Sequence, residues 1–320
     1  MIIRRTLEKD GNLLPRAWNA LAAIPDQFLY HAEHEKRHPK SAYGTSLRLI
    51  SEQWLKVLDR LDELNREHNW ERKETSFPHL LCEYRELLCR LHEHFDACFS
   101  VLRSLCPPET GKPTKIDSQF FEKYKLPGWN KFYEAINPYR EDHIGVLVNT
   151  LKHNQGELCS IFFHSETEFR PGYFLRDILP GGFLGPSAKL HSSGETAFSF
   201  SRDMMIHLWW LYRVGDLLAD TIDTVLRTKR GYELIEVSQG FSDLFLEVIR
   251  RCAELRPEFF PDEIMKPYPK IVYRSAPCIL TIEFPTSARG HRVGEMRVST
   301  SLTVDGEHLS NKMPYFPRNS

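Results

Sequence analysis

The sequence predicts a mainly α protein: a helical bundle with a small central β-hairpin insertion and a short C-terminal antiparallel β region. Three observations predict it. Apolar residues recur at alternating intervals of three and four over long stretches, which builds seams of bundle type. A β-prone segment rich in glycine and proline interrupts them in mid-chain. Beyond Pro261 the runs alternate apolar and polar residues, as half-buried strands do. The expected organisation is a helical body over 1–260, with the β insertion at about 157–200, and a small β region over 261–320 packed on that body.

In chain order, a first helix is expected from near Leu14 to about His38, broken at Pro25. Leu47, Ile50, Trp54, Val57, Leu61 and Leu64 form one seam, and Leu81, Tyr84, Leu88, Leu91, Phe95, Cys98 and Leu102 form another. The polar stretch from Glu67 to Phe77, ending at Pro78, joins them into an antiparallel hairpin. Short helical pieces follow at 120–124 and 129–136. Asn137-Pro138 reads as a cap and first-turn proline for a helix running to about His153. A hairpin is expected from the strand-like 157–164 and from the Ser-Ser-Gly turn before Thr196. Ser201 opens a long helix to about Arg227, with Met204, Leu208, Leu211, Leu218, Ile222 and Val225 on its stripe, and another covers about 241–255. Lys270 to Tyr273, Cys278 to Phe284 and Glu295 to Val304 are the C-terminal strands, with Asp305-Gly306 as a turn.

Composition bounds the function. The 41% hydrophobic and 27% charged residues describe a globular chain with a sizeable core. With 43 acidic and 42 basic residues, the whole molecule lacks the charge that nucleic acid or membrane binding would favour. From Lys266 onward eight basic residues face four acidic ones, a local excess that suits a phosphate backbone or a solvated tail. No apolar run reaches membrane-spanning length, and seven cysteines do not make a secreted disulfide framework. A cytoplasmic protein without a membrane partner is expected.

Chemistry-capable groups concentrate at Asn149-Thr-Leu-Lys-His-Asn-Gln155. On a wheel of 100° per residue, Ile144, Leu147, Val148 and Leu151 turn to the core. Asp142, Asn149 and His153 fall together on nearly the opposite side, while Arg140 and His143 lie nearer the apolar side. The plain alternative is a solvated helix end whose Lys152 and His153 suit its dipole.

Asn149-x3-His153 resembles the latter part of the arginine-polar-x3-histidine signature of the HEPN superfamily. The resemblance implies a helical-bundle domain of a bacterial defence, antiviral or toxin type. In active members it implies metal-independent RNA cleavage, with histidine and arginine promoting attack of a ribose 2′-hydroxyl, often across a dimer. His153 matches the histidine and Asn149 the polar residue, but Val148 stands where the arginine belongs. A valine cannot stabilise an oxyanion, so Lys152 or an arginine from elsewhere must serve, or the member is catalytically degenerate. The expected partners are RNA and a second copy or another protein, with no cofactor and no metal. The competing class is a non-enzymatic helical scaffold with no nucleic-acid chemistry.

Other clusters carry less. His31, His34 and His38 line one helical face, and Glu35-x2-His38 has carboxylate-bridged metal spacing, yet no second Glu-x2-His completes such a site. Cys82, Cys89, Cys98 and Cys106 lack paired zinc spacing, and Cys89-x2-His92 supplies half a site. Asp203-x3-His207 places a carboxylate and an imidazole one turn apart, suited to orienting a catalytic histidine or to a helix N-terminus. Trp209, Trp210 and Tyr212 read as packing, and Gly181-Gly182-Phe-Leu-Gly185 lacks a P-loop lysine.

Overall fold

The structure is a computed structural model describing residues 1–67, 70–110, 114–153, 156–165, 168–240, 243–286, 297–300 and 312–315. Strand β1 (Ile2–Thr6), the single turn α1 (Leu7–Asp10) and α2 (Ala17–Ala22) open the chain. The long helices α3 (Pro39–Arg66) and α4 (Trp70–Ser104) follow, then α5 (Asp117–Tyr124) and α6 (Trp129–Tyr139). A π-helical turn (Arg140–Gly145) leads into α7 (Val146–His153). Next come β2 (Glu157–His164), β3 (Phe169–Ile178), β4 (Leu184–Pro186) and β5 (Phe198–Ser199). Helices α8 (Phe200–Arg230) and α9 (Asp243–Glu254) precede β6 (Tyr268–Ser275), β7 (Cys278–Thr286) and β8 (Arg297–Ser299).

This is an α/β fold, not the mainly helical bundle expected, with 54% helix and 17% strand. Two antiparallel sheets overturn the bundle reading. One has the order β1-β7-β6; the other runs β4-β3-β2-β8, with β5 beside β3. The physical reason is long-range pairing, to which local periodicity is blind. Ile3 pairs with Ile282 and Phe163 with Val298, so strands far apart in sequence complete each sheet. Strand β3 contains Pro171 and Gly172, residues that ordinarily argue against a strand interior. Gly172 is there because a Cβ would lie 2.1 Å from the Phe198 carbonyl and 2.4 Å from the Phe260 ring.

The helical seams fold as periodicity dictates. All six residues of the first seam are buried on α3, and Tyr84, Leu88, Leu91, Phe95, Cys98 and Leu102 are buried on α4. Helix α4 begins at Trp70 and carries Pro78 inside it, so the link is shorter than composition suggests. The expected first helix survives only as α2: residues 26–28 make a 3-10 turn, and Glu35 takes a left-handed φ of 54°. Helix α8 ends where Gly231, at φ 60°, turns its N–H back to the Leu226 and Arg227 carbonyls.

Helix α8 connects the layers. At one side Arg5 of β1 donates to Asp216 at 2.8 Å. At its start, Glu263 is buried and accepts from Ser199 Oγ at 2.5 Å and from the Phe260 N–H at 3.1 Å. No helix among the described residues is long and apolar enough to cross a membrane. Asn154, Gln155 and the Asp305-Gly306 turn lie outside the described residues, as does most of the expected Glu295–Val304 strand.

Candidate functional site

The helix bearing the Asn149–His153 face does not begin at Asn137. Helix α6 continues through Pro138, whose missing N–H removes one i→i−4 bond, and passes at once into the π turn. Gly145 permits that turn: a Cβ there would lie 2.4 Å from the Arg140 carbonyl oxygen. A wheel of constant 100° therefore does not carry through 140–145, and the phase linking Asp142 to Asn149 and His153 is not kept.

Asp142, Asn149, Lys152 and His153 are all exposed, and their side chains make no hydrogen bond or ion pair among the described residues. Val148 is 1% exposed and belongs to the core. An arginine nevertheless reaches this helix end from another element: Arg85 Nη2 of α4 donates to the Leu151 carbonyl at 3.1 Å. His92 of α4 titrates below its ordinary value, first because it is partly buried and further because of Arg140 and Lys152, against an opposing push from Asp96.

A second arrangement lies inside the fold. His143 of the π turn and Asp203 and His207 of α8 bring their ligand atoms within 4.8 Å of one another. His143 Nε2 is 3.3 Å from Asp203 Oδ1, and His207 Nε2 is 3.3 Å from Asp203 Oδ2. Tyr84 of α4 and Tyr173 of β3 each donate to Asp203 Oδ2 at 2.5 Å. Tyr84 Oη also lies 2.9 Å from His207 Nε2, while Tyr139 Oη of α6 lies 2.7 Å from His207 Nδ1.

Electrostatics keep this network in one protonation pattern. Burial alone would raise the Asp203 carboxyl, but His207 and the hydrogen bond from His143 outweigh it and hold the group well below the usual carboxylate range. Burial, reinforced by the Asp203 charge, pushes the Tyr84, Tyr139 and Tyr173 phenols well above theirs, so they remain protonated. His191, fully buried against Phe198, accepts the Leu175 N–H at 2.9 Å, and burial pushes its pKa down to about 3.

The sequence carried part of this signal: Asp203-x3-His207 at one-turn spacing, and a histidine at 143 turned toward the apolar side. It gave no sign that residues 60 positions apart converge, or that three tyrosines from three elements enclose them. The other clusters disperse. His34 bonds the Cys106 carbonyl at 2.8 Å, His31 packs against His38, and all seven cysteines are free. No family model, curated protein or solved structure matches the chain.

Proposed function

We propose that this chain is an RNA-directed protein of HEPN-like type whose working surface is the C-terminal end of α7. The observation that carries the reading is the Arg85 contact with the Leu151 carbonyl. It brings a guanidinium to the helix end bearing Asn149, Lys152 and His153, in place of the arginine that Val148 replaces in sequence. Guanidinium and ammonium groups beside an exposed imidazole suit a phosphodiester: cations hold the phosphate oxygens, and the imidazole moves a proton at the 2′-hydroxyl or the leaving oxygen. Asn149 adds an exposed amide on the same helix, able to bond a base edge or a ribose.

The test is cleavage of single-stranded RNA by the purified chain in the presence of a chelator. His153→Ala and Arg85→Ala are expected to remove cleavage while the circular dichroism stays unchanged. Cleavage that persists in both variants overturns the assignment. One observation favours a second reading. The His153 side chain has no hydrogen-bonding partner among the described residues, whereas catalytic histidines are usually oriented by one. If RNA is bound but not cut, with binding lost in Arg85→Ala, the chain is a degenerate RNA-binding member. If RNA is neither bound nor cut and a stable oligomer is unaffected by His153→Ala, it is a non-enzymatic scaffold.

A further inference from the structure

We propose that His143, Asp203 and His207 bind a divalent first-row transition ion of the zinc class, at a centre separate from the α7 surface. The π turn carrying His143 and the end of α7 at His153 are ten residues apart, about 15 Å along a helix axis. The two sites therefore do not share a ligand, and this inference does not rest on the RNA reading.

Geometry is the first argument. Ligands about 2.0–2.2 Å from a tetrahedral ion sit roughly 3.3–3.6 Å from one another. Both imidazole-to-carboxylate separations are 3.3 Å, one to each oxygen of Asp203. With one atom taken from each residue, the three lie within 4.8 Å of one another, and rotation of His143, the one ligand that is partly exposed, shortens the distances that involve it. Tyr84 Oη lies 2.9 Å from His207 Nε2 and donates to Asp203 Oδ2, so it orients both ligands.

Charge is the second argument. Asp203 is 2% exposed, and no lysine or arginine among the described residues forms an ion pair with it. Among the described residues its ion-pair partners are the two histidines. A buried carboxylate needs a compensating charge, and a divalent ion bound by neutral imidazoles supplies it in place of protonated histidines.

The surrounding groups are the third argument. In metal sites the ring nitrogen of a ligating histidine that does not touch the ion is generally held by a hydrogen bond, which fixes the ring. His207 has this arrangement: Tyr139 holds Nδ1, and Nε2 turns to the centre. Tyr173 does the same for the carboxylate. Two imidazoles and one carboxylate favour zinc, iron(II) or cobalt(II) over magnesium or calcium, which take oxygen-rich sets.

The experiment uses the full chain, stripped with chelator and titrated with Co2+ as the spectroscopic probe. One equivalent should bind with visible ligand-field bands, Zn2+ should displace it, and the melting temperature should rise with Zn2+ but not with Mg2+. His143→Gln changes the least buried ligand and should lose the bands and the Zn2+ shift while remaining folded. Asp203→Asn, if folded by circular dichroism, should do likewise. A folded wild-type chain with neither bands nor shift overturns the proposal, leaving the tyrosine-bonded network as purely structural. Binding undiminished in folded His143→Gln overturns it equally, because the ion then sits elsewhere.

Discussion

Tyr139 Oη lies 2.7 Å from His207 Nδ1, and this contact decides which nitrogen of a fully buried imidazole faces Asp203. Because Tyr139 is the last residue of α6 and His207 lies on α8, one hydrogen bond joins the helix entering the π turn to the central helix. Tyr139→Phe keeps the ring and its parallel packing on Trp210 but leaves Nδ1 without a partner. A buried polar atom stranded in this way costs about 1–3 kcal/mol. Urea unfolding should show a lower midpoint with an unchanged slope; an unaltered midpoint would mean that a water replaces the phenol.

Gly145→Ala sets two effects against each other. Alanine gains up to about 1 kcal/mol in helix propensity. The added carbon would lie 2.4 Å from a backbone oxygen, which cannot swing aside as a side chain can. Overpacking of that kind costs about 1–3 kcal/mol, so destabilisation should win. A lower melting temperature is expected. A higher one would show that 140–145 can relax to ordinary α-helix without penalty.

Val148→Arg would write the missing arginine of the HEPN signature back into the sequence, but the position is in the core. An unpaired buried charge costs roughly 3–5 kcal/mol, so this variant should lose stability and gain no RNA cleavage. A well-folded Val148→Arg protein with increased cleavage would show that the helix presents residue 148 to RNA.

Glu263 sets a pH dependence. Burial raises its pKa to about 7, outweighing the Ser199 hydrogen bond and the Arg202 charge, against an ordinary value of 4.5. A carboxyl raised on folding contributes stability that is complete below the unfolded value and is lost as pH rises through the folded one. The shift corresponds to about 3 kcal/mol. Glu263→Gln, neutral throughout, should lack this loss, so its stability relative to the parent should climb between about pH 4.5 and 8. Denaturant melts at several pH values check it; a constant difference would show that Glu263 titrates normally.

What was legible in the sequence was whatever one helix can encode by itself. The seam from Leu47 to Leu64 and the stripe from Met204 to Val225 each declare a face through spacing alone, and both are buried. Sheets were read poorly because a strand such as Ile2–Thr6 is too short to declare itself before its partner is known. The candidate sites divide in the same way. Asn149 and His153 share one helix and were visible, whereas Arg85 reaches the Leu151 carbonyl of that helix from α4 through space. His143 was visible as a letter, but its meaning depends on a π turn that a uniform wheel cannot represent, and on Tyr84 and Tyr173 from distant elements.

The edge strand β1 has a consequence for how the chain is made. Met1 donates its amino group to the Phe284 carbonyl, 283 residues away, and among the described residues Ile2 to Thr6 pair with β7 alone. At about 5–20 residues per second, the first strand leaves the ribosome roughly 15–60 s before its neighbour exists. Throughout that interval Ile3 has no sheet to enter, so β1 takes its place only after β7 has been made.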